Sequence, residues 1–186
     1  MASLASTLGS TPGKDPLIMG IVNVTPDSFS DGGRYFGAGD ALIHARELVE
    51  QGADVIDIGG ESTRPGAVPV SVDQELDRVI PVVEAVAADG VLVSIDTSKP
   101  EVMREAVQAG ACLINDVFAL RQPGALAMAA SLQTSVILMH MQGTPPTMQD
   151  QPSYKDVVME IRSFLTRRIE ACHAAGLDRS NLLVDP

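Results

Sequence analysis

Short apolar runs rich in β-formers alternate along this chain with longer segments of helical period, and this alternation restricts the fold more than any other feature. The runs are Ile18–Val24, Asp54–Ile58, Val91–Asp96, Cys112–Val117, Ser135–His140 and Asn181–Asp185. Each is apolar on both sides rather than alternating, the pattern of parallel strands covered on both faces. Between them the spacing predicts helices over Asp40–Gln51, Asp73–Asp89, Ser98–Ala109, Gly124–Leu132 and Ser153–Ala175. Four of these stop at a glycine: Gly52, Gly90, Gly110 and Gly176. Pro81 predicts a kink or a later start in the second helix. Ser98, with Pro100 in the first turn, is read as the cap of the third. Gly52-Ala53-Asp54 and Gly110-Ala111-Cys112 repeat the same short helix-to-strand link. Strict alternation with such links predicts a parallel α/β domain over residues 17–186, preceded by a flexible lead-in over 1–16.

A doubly wound sheet and a (βα)₈ barrel share this grammar. No GxGxxG follows the first strand, which weakens the dinucleotide-binding sheet. Polar residues favour the barrel: Asn23, Asp57 with Glu61, Asp96, Asn115, His140 and Asp185 all fall at or just past the C-terminal ends of their strands. In a barrel those ends converge on one mouth, where active sites are built. Only six strands are predicted, and a typical barrel needs about 250 residues, whereas this chain has 186. The fold class expected is therefore a TIM (β/α)₈ barrel of which about six βα units are present.

Composition limits the partners. Apolar residues make up 45%, ample for a core, and the net charge of −11 argues against nucleic acid or an anionic membrane as a partner. An anionic substrate would have to meet a few local cations, of which Arg34 and Arg64 are candidates. No run of 18 apolar residues occurs, and the N-terminus has neither the basic nor the apolar region of a secretory signal. Two cysteines without a CxxC, Cys112 and Cys172, suit a reducing cytoplasm. The first is read as a buried small hydrophobe and the second as a half-exposed helix thiol.

Three loops concentrate candidate chemistry. Asn23 opens NVTPDSFSDGG (23–33), GGESTRPG (59–66) places Arg64 on a stiff Pro-Gly turn, and SIDTSKP (94–100) sets Asp96 deep in the mouth. A turn-rich connection, a solvated arginine and a helix-capping aspartate are the plainer readings of the three. His140 reads most simply as a strand-end histidine hydrogen-bonded in the mouth, with His44 and His173 on helix surfaces.

Taken together, MGIVNVTPDSFSDGG (19–33) and DIGGESTRPG (57–66) resemble the two signatures of the dihydropteroate synthase family. SIDTSKPEV (94–102), INDV (114–117), LMHMQGTPPTMQ (138–149) and LLVDP (182–186) extend the resemblance over residues 17–186. The resemblance implies a transferase of folate biosynthesis, which joins p-aminobenzoate to 6-hydroxymethyl-7,8-dihydropterin diphosphate with Mg²⁺ and is the target of sulfonamides. It implies a pterin pocket of Asp96, Asn115, Met139 and Asp185, a metal ligand in Asn23, and a p-aminobenzoate or sulfonamide wall of Phe29, Thr63, Arg64 and Pro65. Asp96, Asn115 and Arg64 are the residues it nominates for catalysis. A flat ring edge rich in N–H donors needs acceptors, which Asp96, Asn115 and Asp185 supply. A hard cation that keeps waters and substrate phosphates needs few protein oxygens.

In the family, LVDP is followed by two more βα units carrying a lysine, a serine, an arginine and a histidine of the site. The chain is therefore expected to be a fragment without measurable synthase activity of its own, and the longer enzyme to be a cytoplasmic homodimer. A methyltetrahydrofolate-type pterin-binding methyltransferase, or a non-catalytic pterin-binding remnant, is the alternative. The former would not need TPDSFSDGG or ESTRPG.

Overall fold

The computed structural model describes residues 16–25, 37–62, 68–145 and 147–186. Six strands alternate with five helices: β1 (Met19–Asn23), α1 (Gly37–Glu50), β2 (Val55–Gly59), α2 (Val72–Ala88), β3 (Leu92–Asp96), α3 (Pro100–Gln108), β4 (Leu113–Asp116), α4 (Ala125–Leu132), β5 (Ser135–Met139), α5 (Val157–Ala174) and β6 (Leu182–Asp185). All neighbouring strands pair in parallel, in the order β1-β2-β3-β4-β5-β6. The order never reverses, so the sheet has no switch point of the doubly wound kind and curls one way, as a barrel does. The expected fold class holds, with five βα units and a sixth strand among the described residues.

The core explains the near-continuous apolar runs. Val22, Ile56, Ile58, Val93, Ile95, Ile114, Val136 and Leu138 point outward from the sheet and are fully buried under helices. The helices return valines and alanines: Ala41 and Ala45 from α1, Val79, Val82, Val83 and Val86 from α2, Val102 and Ala106 from α3. This stripe accounts for Pro81, which sits inside α2 without delaying its start at Val72. A mid-helix proline costs about 3 kcal/mol, whereas each buried valine returns roughly 1.5–3 kcal/mol. Ser71 caps the helix, accepting from Gln74 N at 3.2 Å while Ser71 N donates to the Gln74 side chain at 3.0 Å.

Two local readings need correction. Ser98 does not cap α3; the cap position is Lys99, without a side-chain cap bond. Lys99 precedes Pro100 and is therefore extended (φ −93°, ψ 123°), which moves the helix entry one residue past Ser98. The cysteines also exchange environments. Cys172 is fully buried on the inner face of α5 with Leu165, while Cys112, outside the strand proper, is partly buried and donates to Val93 O at 3.4 Å. Both are free thiols.

Candidate functional site in the barrel mouth

Side chains on a strand alternate, so residues of one parity line the inside. Strand register stacks them in layers. The lower layer contains Ile21, Asp57, Ser94 and Leu113; the layer above it contains Asn23, Gly59, Asp96 and Asn115. Each residue of that upper layer is at or one short of its strand's end, and three of the four carry an oxygen acceptor. Gly59 keeps the space between them open. A side chain there would begin 3.3 Å from Asp96 Oδ2 and 3.6 Å from Asn23 Oδ1.

Asp57 lies beneath, nearly inaccessible to solvent, and its Oδ2 accepts from Asn115 Nδ2 at 2.9 Å. Burial raises its carboxyl above the ordinary range, while Ser94 and Asn115 pull the other way. The Ser94 hydroxyl is near enough for that pull but falls short of hydrogen-bond geometry; its Oγ and Asp57 Oδ1 have no partner among the described residues. Asp96 stands well above the ordinary carboxylate value, first because it is buried and then because Asp57, Glu75, Asp116 and Glu61 surround it.

A second network anchors the loop after β2. Glu75, on α2 and 1% exposed, accepts from Thr97 Oγ1 at 2.6 Å and from Lys99 Nζ, which also pairs with Glu61. Burial lowers the Lys99 ammonium, but the two carboxylates overcome this and leave it above its usual value. Arg78 donates to Gly60 O at 2.8 Å. Gly60 packs so closely on α2 that a Cβ would meet Val79 Cγ1 at 2.7 Å. The stem 59–61 is thus fixed between α2 and β3. Above it opens a cavity of about 500 Å³, with Asp96 and Lys99 on one wall and Phe118, Pro123 and Pro145 on another.

The third arrangement holds the turn after β4. Asp116, fully buried, accepts from Phe118 N at 2.9 Å and Leu120 N at 2.7 Å. Burial pushes its pKa up to about 6 against those bonds. Ala119 and Leu120 adopt left-handed backbone (φ 51° and 57°), which costs a non-glycine residue of order 1 kcal/mol or more. Arg168 from α5 grips their carbonyls at 2.8 and 3.2 Å.

The residues named from sequence divide as follows. Asp96, Asn115 and Asn23 come together around Gly59. Met139 and Asp185 are register partners on the same inner face, but Asp185 is exposed. Phe29, Arg34, Thr63, Arg64 and Pro65 lie outside the described residues. His140 is a correction: one position past Met139, it faces the other way and packs edge-on against Phe164 of α5 (ring centroids 5.1 Å apart) and beside Tyr154 (5.9 Å). Burial and then Arg121 lower its pKa. Glu75, Thr97, Lys99 and Asp116 were not read from sequence as parts of the site. Glu75 had a signal, since it falls three residues after Val72 and four before Val79, on the apolar stripe of α2, where a carboxylate needs a partner.

The profile of the family described as pterin binding enzyme matches residues 19–186. The chain belongs to this family. Dihydropteroate synthase from Escherichia coli (strain K12) is 54% identical over 172 residues, covering 92% of this chain and 61% of the relative. Among solved structures, Xanthomonas albilineans dihydropteroate synthase with 4-aminobenzoic acid is 57% identical with a TM-score of 0.84, over 92% of this chain and 61% of that one. Yersinia pestis dihydropteroate synthase in a sulfonamide drug complex is 54% identical with a TM-score of 0.85, over 92% and 62%. The chain thus spans about three fifths of the length of these pterin binding enzymes. The strand-end acceptors described above all lie inside the shared part.

Proposed function

We propose that this chain carries the pterin and metal side of a dihydropteroate synthase, which joins p-aminobenzoate to 6-hydroxymethyl-7,8-dihydropterin diphosphate and releases pyrophosphate. The observation that carries the reading is the grouping of Asn23, Asp96 and Asn115, all half-buried, in one inward layer of the sheet, with the Asn23 and Asp96 oxygens facing the open space at Gly59. Carboxylate and amide oxygens grouped in this way suit the donor-rich edge of a pterin, and the amide of Asn115 can also meet a ring acceptor.

In the proposed reaction the bond between the pterin methylene carbon and the diphosphate oxygen breaks, and its electron pair leaves with pyrophosphate. The amine of p-aminobenzoate then forms the new C–N bond and loses a proton. Asp96 and Asn115 hold and orient the ring so that the methylene is presented to the amine. Arg64, with Phe29, Thr63 and Pro65, is assigned to the p-aminobenzoate or sulfonamide side on the family resemblance.

The mouth is acidic, with Asp57, Glu61 and Asp96 in it and the buried Glu75 and Asp116 near enough to act on Asp96, against Lys99, whose charge is shared between two carboxylates. A diphosphate entering it needs a cation. Asn23 Oδ1, a hard oxygen beside Asp96 Oδ2, fits Mg²⁺ held otherwise by waters and phosphate oxygens. Bound there, the ion would neutralise charge developing on the leaving pyrophosphate. The same reading extends to a homodimeric, cytoplasmic longer enzyme, a location that two free thiols suit.

Calorimetric titration of the 186-residue chain with 6-hydroxymethyl-7,8-dihydropterin diphosphate tests the proposal. Binding should require Mg²⁺ and weaken about tenfold or more in Asn23→Ala, as loss of one charge-assisted contact implies. Equal affinity with and without Mg²⁺ would remove the metal assignment. No binding under either condition would overturn the function.

A further inference from the structure

Asp57 is a buried carboxylate with no part in the chemistry derived so far. It is nearly inaccessible to solvent, it belongs to no ion pair among the described residues, and one of its oxygens has no hydrogen-bond partner there. Its one defined hydrogen bond runs to Asn115. That bond is not made by register neighbours. Asp57 pairs with Ser94, whereas Asn115 sits on β4, two strands away and one layer higher. The Asn115 amide therefore leans diagonally across β3 to reach Asp57. Ser94, fully buried at the crossing point, is small enough to let it pass.

The chemistry of this contact is asymmetric. An ionised carboxylate only accepts, so it draws the Nδ2 end of the amide and turns Oδ1 away from itself. Asn115 is left with one free N–H and one carbonyl oxygen, in a fixed order. An asparagine without such a partner could rotate its amide by half a turn and offer the opposite order.

We propose that Asp57 is a positioning residue that makes the pocket choose between ring edges: by fixing the Asn115 amide, it selects a 2-amino-4-oxo pteridine over the 2,4-dioxo analogue. In the 2-amino ring, N1 accepts and the neighbouring amino group donates. In the 2,4-dioxo ring, N1–H donates and the neighbouring carbonyl accepts, so the order is reversed. A locked amide matches only the first; a free amide accommodates both. The inference rests on the pterin reading and adds to it the source of its selectivity.

The test measures affinities of the 186-residue chain for 6-hydroxymethylpterin and for its 2,4-dioxo counterpart, in wild type and three variants. Wild type should prefer the 2-amino ring. Asp57→Asn, which can donate as well as accept, should weaken that ring and cut the preference by about tenfold or more, as expected when two buried hydrogen bonds can be exchanged. Asn115→Asp should bind poorly, because two carboxylates then face one another. Adding Asp57→Asn to Asn115→Asp should relieve that repulsion and raise affinity above the single variant, without the wild-type preference, because a carboxylate at 115 has no N–H for N1. A purely structural role for Asp57 lowers affinity in both backgrounds and would overturn the inference, as would an unchanged preference in Asp57→Asn. A direct readout accompanies these titrations. The Asn115 side-chain amide signals in ¹H–¹⁵N spectra should be protected from exchange in wild type and lose that protection in Asp57→Ser, with the strand amides unaltered; unchanged protection contradicts the proposal. A wild-type chain that binds neither ring overturns the pterin reading and this inference together, whereas binding without preference overturns the inference alone.

Discussion

Strands β3 and β6 both end in an aspartate but hold it in different surroundings. In β2 all five residues are buried, and Asp96 at the end of β3 is crowded by carboxylates. In β6 the last two residues are exposed, and Val184 is 48% exposed. The difference shows that a strand-end aspartate acquires its chemistry from the neighbours on both sides. Asp96 has β2 and β4; Asp185, on the last described strand, has β5 only. Water competes for every contact Asp185 makes, so the buried half is where single residues should matter most.

The largest effect is expected at the link between the layers of the buried half. Lys99→Met leaves Glu75 without its ammonium partner, and an unpaired buried charge costs about 3–5 kcal/mol. Urea unfolding should show this loss, and adding Glu75→Gln should recover most of it. Equal stability of Lys99→Met and wild type would mean that Thr97 alone satisfies Glu75.

Next is the pH dependence of the turn after β4. The Asp116 pKa of about 6 lies above its unfolded value of 3.8. A raised folded value means that the native state binds the proton more tightly. The contribution of Asp116 is then fully present below about pH 4 and is lost as pH rises through 6, amounting to about 3 kcal/mol. Asp116→Asn should flatten stability across that window. A profile between pH 4 and 6 that keeps its slope in the variant would assign the effect elsewhere.

The smallest effect, at Val184, sharpens the contrast between the halves. Ile95→Ala, in the centre of β3, should cost about 2–5 kcal/mol, and Val184→Ala on β6 less than about 0.5 kcal/mol. Comparable losses by thermal melting would show that β6 is packed as tightly as β3.

Much of this was legible in the sequence because it depends on local pattern. Strand positions followed from runs such as Val91–Asp96 and Ser135–His140, which the structure trims by one residue at an end. Asp96, Asn115 and Asn23 were legible because a strand end in a barrel has one place to go. What escaped depends on partners distant in sequence or on a single step of the pleat. Lys99 meets Glu75 across 24 positions and Glu61 across 38, which no spacing reveals. His140 was placed in the mouth although it is one residue past Met139, and one step reverses the face. Ser98 lost its capping role to the proline two residues on. Cys172 was read as half-exposed because the apolar stripe of α5 is weakly marked among its charges, yet Leu165, Cys172 and Leu177 pack together against the core.

The central claim is that the half-buried Asp96 and Asn115 of β3 and β4 recognise a pterin. Calorimetry with 6-hydroxymethyl-7,8-dihydropterin diphosphate and Mg²⁺, comparing wild type with Asp96→Ala and Asn115→Ala, tests it most directly. Each variant should lose on the order of 2–4 kcal/mol, roughly a 30- to 1000-fold fall in affinity, while Asp185→Ala on the open side should lose about tenfold or less. Near wild-type affinity in either Asp96→Ala or Asn115→Ala would contradict the account.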